Sequence, residues 1–372
     1  MTGPALQRDV IVCCGAGGVG KTTVSAALGL ALASRGEDVV VVTIDPARRL
    51  AAALGMHELG DDPQEVSPDA IARAELGPGG GRMWALQLDS KATFDRLVAR
   101  HAPTEEARER IMANRIYQHM SGAVAGAQEY MAVERLFELR EDGRFARIVL
   151  DTPPAGNALD FLDAPERMTR FIEGRALRTM LGPAAGAGRL GWRALHAGTA
   201  AAMSLLERLT GAQLLRDIAD FLRGFDGMYA GVAERAKAVE ALLRSDATGF
   251  LVVTAPEPEP VREAVMLGRR LSDEEYHLDG VVLNRMHALP ASGLGAAAAL
   301  AAALGGPADD PDGLAARACA ALEDARRIAL RDLDLRETVA ARVAAPLTEV
   351  PAMADEPVEV AGIAGIARAL AG

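Results

Sequence analysis

The chain has 372 residues, half of them apolar but only 4% aromatic, and a formal net charge of −11. This length suits one large domain or a domain with a sizeable insertion, and the alanine-rich composition favours helix-rich α/β packing over an aromatic β-sandwich. An acidic chain without a long Lys/Arg run lacks the charge that non-specific nucleic-acid binding needs, so we expect no nucleic-acid partner.

The beginning of the sequence, MTGPALQRDV, has neither a basic head nor an apolar stretch before a cleavage site, so we expect no secretory signal. The Ala-rich stretch 291–304 is too short to span a bilayer. The three cysteines, Cys13, Cys14 and Cys319, are odd in number and form no CxxC pair, which is typical of a reducing compartment. These features predict a cytoplasmic protein, which a partner could bring to the periphery of a membrane.

Short β-branched runs alternate with longer helical stretches along the chain. The predicted strands are Val10–Cys14, Val39–Ile44, Met83–Leu88, Ala146–Leu150, Phe250–Thr254, Gly280–Leu283 and Leu347–Val350. This alternation predicts an α/β fold with a mainly parallel, doubly wound sheet that is covered by helices on both faces. In such sheets ligands bind at the carboxyl ends of the strands.

Two segments, 92–125 and 165–247, contain no convincing strand and predict an inserted helical subdomain within one domain of residues 1–372. Between Leu205 and Phe225 apolar residues recur with a period near 3.6, which predicts an apolar helical stripe. Residues rich in Gly, Pro and Asp predict loops or connections at 60–81, 182–191 and 305–313.

The stretch CCGAGGVGKTT follows the first predicted strand and precedes a predicted helix. Within it Gly15, Gly20, Lys21 and Thr22 satisfy the phosphate-loop pattern GxxxxGK[ST]. The glycines allow backbone N–H groups to turn towards phosphate oxygens, the lysine supplies a positive charge, and the threonine hydroxyl can bind Mg²⁺. The sequence therefore predicts a P-loop nucleotide-binding site.

Two carboxylates follow predicted strands, at the edge of the sheet where the phosphates are expected. Asp45 comes after VVVVTI, and Asp151 comes after ARIVL. Asp151 resembles a Walker B or switch II carboxylate that holds Mg²⁺ through water, and Asp45 could orient the attacking water. Either residue alone could be a solvated strand-end carboxylate, but together with the loop they indicate a catalytic site.

The base-recognition site has weaker signals. The NKxD motif of common GTPases is absent from the sequence. Asn284 ends the predicted strand GVVL, where its amide could pair with an adenine edge, and Pro351 follows the last predicted strand. In isolation, both residue types are more often found in turns.

Several motifs occur in the order found in the arsenite-pump ATPase (ArsA) family, which also includes ATPases that target tail-anchored membrane proteins. These motifs are CGAGGVGKTT, TIDPARRL, DTPPAGNALDFL, VLNRM and TEVP. Over most of its length the chain resembles the bacterial single-domain members of this family.

The resemblance implies a deviant-Walker P-loop ATPase that binds ATP and Mg²⁺ and works as a nucleotide-sandwich dimer. It makes Asp45 the switch I catalytic residue, Asp151 and its DTPP neighbours switch II, and Asn284 and Pro351 the adenine pocket. The segment Gly126–Glu129 also resembles a family segment near the nucleotide. The implied phosphate loop consists of Gly15, Gly17, Gly18, Val19, Gly20, Lys21, Thr22 and Thr23.

One position departs from the family's loop, GKGGVGKT, whose first lysine reaches the phosphates of the partner subunit. Ala16 stands at this position. ATP binding should survive because the backbone cradle is intact, but the loss of one cation predicts slow turnover by the chain alone. We expect either that Arg48 or Arg49 beside switch I replaces the lysine, or that a paralogous ATPase subunit donates it in a heteromer.

Three functions remain open at this point. The first is an ATP-switched targeting factor for hydrophobic protein cargo or a membrane-protein partner, with Met168, Met180 and Met203 in an adaptable groove, although ordinary core packing is the better explanation of these three residues. The second is the energising subunit of an anion or metalloid transporter, although the cysteines reproduce no metalloid site. The third is a positioning ATPase of the ParA or MinD type, although the C-terminal helix carries only Arg368 as a cation.

Overall fold

The computed structural model describes residues 7–74, 76, 80–114, 117, 127–152, 158–173, 228–290, 299, 302–304, 314–353 and 359–371. The chain divides into two compact units. The first comprises residues 1–87, 143–158 and 244–372, and the second comprises residues 88–142 and 159–243.

The first unit contains an eight-stranded sheet within the described residues. Its strands are β1 (Val10–Cys14), β2 (Val39–Thr43), β3 (Gln64–Glu65), β4 (Met83–Gln87), β5 (Arg147–Asp151), β6 (Thr248–Thr254), β7 (Leu278–Met286) and β8 (Leu347–Pro351). They follow the order β3-β4-β2-β5-β1-β6-β7-β8, and every neighbouring pair except β3 and β4 is parallel. The predicted α/β fold with a mainly parallel sheet is confirmed.

The helices in the described part of the chain are α1 (Lys21–Ala33), α2 (Arg49–Ala53), α3 (Pro68–Arg73), α4 (Ser90–His101), α5 (Glu105–Ala113), α6 (Ala127–Asp142), α7 (Ala158–Glu173), α8 (Tyr229–Arg244), α9 (Pro258–Asp273), α10 (Leu314–Arg342) and α11 (Glu359–Ala371). No helix in this part of the chain is both long and apolar enough to cross a membrane.

The prediction of a loop over residues 60–81 is wrong in part. Gln64 and Glu65 form β3, which pairs antiparallel with β4, and α3 begins at Pro68. Both side chains of β3 are exposed, so no apolar alternation marks this short edge strand in the sequence. A proline fits the first turn of a helix because that position has no intrahelical partner for an N–H group.

The sheet is buried on both faces, and β1 illustrates how. Ile11 and Cys13 belong to the apolar core that includes α1, while Val10 and Val12 are equally buried and point to the opposite face because side chains alternate along a strand. This double burial explains why the strands read as continuous apolar runs.

The C-terminal helix α11 covers the first helix, α1, within this core. Its buried residues are Val360, Ile363, Ala364, Ile366, Ala367 and Leu370. They pack with the leucines and alanines of α1, a helix that is buried along most of its length. The apolar side of α11 is therefore part of the core.

The second unit is helical in its described residues. Leu97, Ile111, Tyr130 and Val232 belong to its apolar core, and Met168 packs against this core partly buried. A buried ion pair joins two of its helices, because Arg235 Nε on α8 lies 2.7 Å from Glu134 Oε1 on α6. The predicted apolar stripe 205–225, the connection 182–191, Met180 and Met203 lie outside the described residues.

Candidate active site

The backbone of the loop between β1 and α1 favours glycine at three positions. Gly15 has φ 148°, Gly18 has φ 76° and Gly20 has φ 90°, a region that residues with a Cβ rarely adopt. A Cβ on Gly15 would lie 2.0 Å from the carbonyl oxygen of Val253 on β6. Gly20 is the N-cap of α1, so the free N–H groups of the first helical turn follow directly after it. A glycine turn followed by the free N–H groups of a helix is the backbone arrangement of an anion-binding site.

Lys21 holds its ammonium group across the loop. Its Nζ donates to the carbonyl oxygens of Gly15 at 3.0 Å and Ala16 at 2.8 Å, and the residue is only 7% exposed. Burial lowers the pKa of Lys21, although the nearby charge of Asp151 opposes this effect. A buried cation beside helix N–H groups is suited to a highly charged anion.

Asp151 lies at the centre of a small hydroxyl network. Its Oδ2 accepts hydrogen bonds from Thr22 Oγ1 at 2.6 Å and from Thr43 Oγ1 at 2.8 Å. The sheet register accounts for this arrangement, since Asp151 on β5 is level with Cys13 on β1 and with Thr43 on β2. Burial raises the pKa of the Asp151 carboxyl to about 6, against the opposing effect of the two hydroxyl donors.

The oxygens around Asp151 fit a magnesium ion. Asp151 Oδ1 is buried and has no hydrogen-bond partner among the described residues. A native structure rarely leaves a carboxylate oxygen in this condition, and a bound cation would satisfy it. Carboxylate and hydroxyl oxygens are the hard ligands that Mg²⁺ prefers, so Thr22 and Asp151 are the residues that would hold it.

Asp45 lies just beyond the end of β2. Its backbone N–H donates to Thr43 Oγ1 at 3.2 Å, and its Oδ1 accepts from the Ala47 N–H at 2.9 Å. Its Oδ2 is 3.3 Å from Arg49 Nη1, whereas Arg48 pairs with Glu58. The Asp45 carboxylate is therefore partly exposed, and its position is fixed by the Ala47 N–H, by Arg49 and by the bond from its own backbone N–H to Thr43.

The two residues of the predicted adenine pocket have different surroundings. Asn284 on β7 is buried, and its Nδ2 donates to the carbonyl oxygen of Val19 in the loop at 2.8 Å. Pro351 ends the neighbouring strand β8, is exposed, and pairs in register with Met286. The structure thus brings Asn284 to the phosphate loop and places Pro351 one strand further along the sheet.

The other predicted site residues have these positions. Gly17 and Gly18 are exposed in the loop, Val19 is buried, and Thr23 lies in the first turn of α1. Of the segment 126–129, Glu129 is buried in the first turn of α6. Gly126 and the two prolines of DTPP lie outside the described residues.

Thr43 is a site residue that the sequence analysis missed. Its hydroxyl links Asp45 to Asp151 through two hydrogen bonds. The available signal was that Thr43 is a polar residue at the end of the apolar strand VVVVT, two residues before Asp45. This is the edge of the sheet where ligands bind. Threonine is common in strands, so this signal is weak without the sheet register.

Replacing Asp151 by asparagine should stabilise the folded chain at pH 7.5 by about 1–3 kcal/mol, because it removes a buried negative charge. The pKa of Asp151 is raised from 3.8 to about 6 on folding. Between these pH values the folded chain holds a proton that the unfolded chain releases, so this carboxyl makes stability fall as the pH rises through that window. Urea unfolding at pH 4.5, 6 and 7.5 would measure the effect.

Asp62→Asn is the matched control, since Asp62 is an exposed carboxylate in the same unit. The control should leave stability unchanged within about 0.5 kcal/mol. A loss of stability at pH 7.5 in the Asp151 variant alone would mean that the ionised carboxylate is favourable in the fold, contrary to this account.

The sequence of the chain is similar to those of known ATPases. The sequence profile of a family described as anion-transporting ATPase matches residues 8–294. The chain is 28% identical over 162 residues to the ATPase GET3 of Malassezia globosa, which covers 44% of each chain. It is 25% identical over 304 residues to the ATPase ARSA1 of Chlamydomonas reinhardtii, which covers 75% of this chain and 35% of that protein.

A third relative is the ATPase ASNA1 homolog of Babesia bovis. It is 24% identical over 275 residues, which cover 73% of this chain and 64% of that protein. In each of the three comparisons the chain covers less than two thirds of the relative's length.

Proposed function

Because this chain belongs to the anion-transporting ATPase family, we propose that it binds ATP with Mg²⁺ and hydrolyses ATP to ADP and phosphate. The observation that carries the proposal is the hydrogen bond of 2.6 Å between Thr22 Oγ1 and Asp151 Oδ2, beside the buried Lys21 and an Asp151 oxygen without a partner. A loop hydroxyl, a cation and a strand-end carboxylate in contact are the parts that phosphoryl transfer needs.

Each group has a role in the proposed reaction. The N–H groups after Gly20 and the ammonium of Lys21 bind the phosphate oxygens. When bound by Thr22 and Asp151, Mg²⁺ offsets the negative charge of the phosphates. Asp45 orients the attacking water and accepts its proton, since its carboxylate is partly exposed at the same edge of the sheet.

Arg49 is the better candidate of the two arginines for the cation that Ala16 does not supply. Its guanidinium lies 3.3 Å from Asp45 Oδ2, and its side chain is 64% exposed. An exposed ion pair of this kind contributes little to stability, so Arg49 is free to turn towards a phosphate. Arg48 is similarly exposed, but its guanidinium pairs with Glu58 at 2.9 Å and not with Asp45, so only Arg49 contacts a predicted catalytic residue.

Arg49→Ala should therefore lower kcat by about 10- to 100-fold, because a cation that stabilises charge in the transition state is removed. The affinity for ATP should change by less than about threefold, since the loop and Lys21 remain. Phosphate release at saturating ATP and nucleotide binding by fluorescence would measure the two quantities separately.

Arg48→Ala is the matched control, because it removes the neighbouring guanidinium and should leave kcat within about twofold. If both variants turned over ATP at the wild-type rate, neither arginine would supply the cation. The missing cation would then have to be a lysine that a paralogous subunit donates in a heteromer.

We further propose that the ATPase is a dimeric switch, either a homodimer or a heteromer with a paralogous subunit. Its nucleotide state would control binding of a hydrophobic protein cargo or a membrane-protein partner. Support comes from the resemblance of the motifs to targeting ATPases and from the separate helical unit inserted in the ATPase unit. Mass measurement by light scattering and affinity capture, each with and without a non-hydrolysable ATP analogue, would test both parts.

Two features weigh against the alternative functions. Cys13 is fully buried, and burial raises the pKa of its thiol to about 12, so it is a poor metalloid ligand. The apolar residues of α11 pack against α1 in the core, so this helix does not present them to a membrane surface as a MinD-like helix would. The targeting ATPase remains our preferred proposal.

A further inference from the structure

We propose that Thr43, at the end of β2, is a positioning residue for the proposed hydrolysis. Its single hydroxyl orients the Asp151 carboxylate for the metal and ties the backbone of Asp45 to that carboxylate. This inference rests on the proposed ATP and Mg²⁺ site. It adds a residue that no motif of the sequence marks, and it concerns how the two carboxylates are held relative to each other.

The strand register brings the side chain of Thr43 to Asp151. Thr43 on β2 is paired directly with Asp151 on β5, at the carboxyl end of this parallel ladder. Paired residues of neighbouring strands project from the same face of a sheet, so the two side chains meet. Thr43 is 2% exposed and Asp151 is 1% exposed, so their hydrogen bond lies in a low-dielectric environment where it is strong.

The direction of each hydrogen bond at Thr43 follows from its partners. The backbone N–H of Asp45 can only donate, so the Thr43 oxygen accepts it at 3.2 Å. A hydroxyl has one proton, and Thr43 donates that proton to Asp151 Oδ2 at 2.8 Å. The bonds therefore form a chain from the Asp45 N–H through Thr43 to the carboxylate, and hydrogen bonds in such a chain polarise one another.

The two oxygens of Asp151 differ in their surroundings as a result. Oδ2 accepts from Thr43 and also from Thr22, the latter at 2.6 Å. Oδ1 is buried and has no hydrogen-bond partner among the described residues. Two donors on one oxygen fix the rotation of the carboxylate, so Oδ1 is the oxygen that stays available to a cation. Loss of a group that orients a metal ligand in this way costs about 10- to 100-fold in metal affinity or activity.

Thr43 also defines how the chain leaves the sheet towards Asp45. The N–H of Ile44 still donates to the backbone oxygen of Asp151, at 3.3 Å. At Asp45 the side-chain hydroxyl of Thr43 replaces the neighbouring strand as the partner of the backbone N–H. A general base must be held at hydrogen-bond distance from the water that it activates, so this turn matters for the rate of hydrolysis more than for ATP affinity.

A positioning role and a purely structural role predict different results. Loss of a buried hydrogen bond lowers the stability of the fold in either case. Only the positioning role also reduces the extent to which Mg²⁺ tightens ATP binding, since Asp151 favours ATP only through the cation. The ratio of the ATP dissociation constants without and with Mg²⁺, here called the Mg²⁺ ratio, therefore separates the two roles.

The experiment uses the full chain with Thr43→Val, which keeps the branched side chain but has no hydroxyl, and with Thr43→Ser, which keeps the hydroxyl. Thr248→Val is the matched control, because Thr248 is a fully buried threonine at the amino end of β6, level with Val10 and away from the site. Circular dichroism confirms folding of each variant. Thr43→Ala, which also lacks the hydroxyl, gives the same comparison if Thr43→Val does not fold.

Three quantities are measured. Titration calorimetry with ATP, in Mg²⁺ and in EDTA, gives the Mg²⁺ ratio. Single-turnover hydrolysis with excess protein gives the rate of the chemical step. Amide hydrogen exchange of Asp45, resolved by NMR without any ligand, reports the hydrogen bond from its N–H to Thr43.

We expect Thr43→Val to lower the Mg²⁺ ratio about tenfold and the single-turnover rate about 100-fold, while ATP affinity in EDTA stays within about threefold. The Asp45 amide should exchange about tenfold faster in this variant. Thr43→Ser and Thr248→Val should keep the Mg²⁺ ratio and the rate of the wild type within about threefold.

The same change should have little effect where Asp151 has already been replaced. In Asp151→Asn the Mg²⁺ ratio is low from the start, because the carboxylate that Thr43 orients is gone. Adding Thr43→Val to this variant should lower the ratio further by less than about twofold.

Three results would overturn the inference while the ATPase proposal stands. The first is a wild-type Mg²⁺ ratio and rate in Thr43→Val. The second is an equally large loss in Thr43→Ser, which would mean that the hydroxyl is not the cause. The third is an undiminished effect of Thr43→Val in the Asp151→Asn chain. If the wild-type chain bound no ATP with or without Mg²⁺, the ATPase proposal would fail and the inference would fail with it.

Discussion

Lys21→Ala should weaken ATP binding by at least about 100-fold and reduce hydrolysis below detection. The variant loses the buried ammonium group that donates to the Gly15 and Ala16 carbonyls, so the loop loses the cation that would offset the phosphate charge. A charge-assisted contact contributes more binding free energy in a buried site than in an exposed one, so a loss of ATP affinity of this size is expected. Equilibrium binding of a fluorescent ATP derivative would measure it.

The chain offers a matched control, since it has only three lysines, Lys21, Lys91 and Lys237. Lys237 is exposed on α8, and Lys237→Ala should bind ATP like the wild type. Lys21→Met would distinguish the charge from the volume of the side chain and should fail like the alanine variant. Wild-type affinity in Lys21→Met would show that the cation does not bind the phosphates.

Asp45→Asn should lower kcat by about 100- to 1,000-fold while the affinity for ATP changes by less than about threefold. Asparagine keeps an oxygen for the Ala47 N–H, so the local turn should survive, but it cannot accept a proton from water. The effect should therefore fall on the chemical step alone. Single-turnover hydrolysis with excess protein would measure this step directly.

Asp62→Asn serves again as the control. It removes one exposed carboxylate and so changes the net charge of −11 by the same amount as Asp45→Asn. Two results would contradict the assignment of Asp45. One is hydrolysis at the wild-type rate. The other is an equal loss of affinity and rate, which would indicate a binding role for Asp45.

Most of the sheet could be predicted from the sequence because its central strands, such as β1 and β2, are buried and apolar on both faces. Runs such as VIVCC and VVVVT are too short and too β-branched for helices, and the stretches between them are long enough for crossovers. The edge strand β3 could not be predicted from the sequence, because Gln64 and Glu65 are both polar and give no apolar pattern. Its pairing depends on β4, a contact that no local pattern encodes.

For the candidate active site, the sequence predicts only those residues that a motif or a strand end marks. Lys21, Asp45 and Asp151 stand at such positions. The hydrogen bonds of Thr43 to Asp151 and of Asn284 to Val19 were not predicted, because both depend on which strands are neighbours. Strand order is a property of tertiary packing, and it brings together residues that are 265 positions apart in the chain.

The electrostatics of the site explain why its ligand should stabilise the fold. Burial lowers the pKa of Lys21 and raises the pKa of Asp151, so both charges are held at a cost in folding free energy. A phosphate beside the lysine and a cation beside the carboxylate would lower that cost. Ligand binding to the folded state alone also raises stability by mass action.

The most direct test is titration calorimetry of the pure, folded wild-type chain with ATP, in the presence and absence of Mg²⁺. We predict saturable binding of about one nucleotide per chain that is tighter with Mg²⁺. The absence of heat in both titrations, with the protein shown to be folded, would contradict the assignment of this loop as an ATP site.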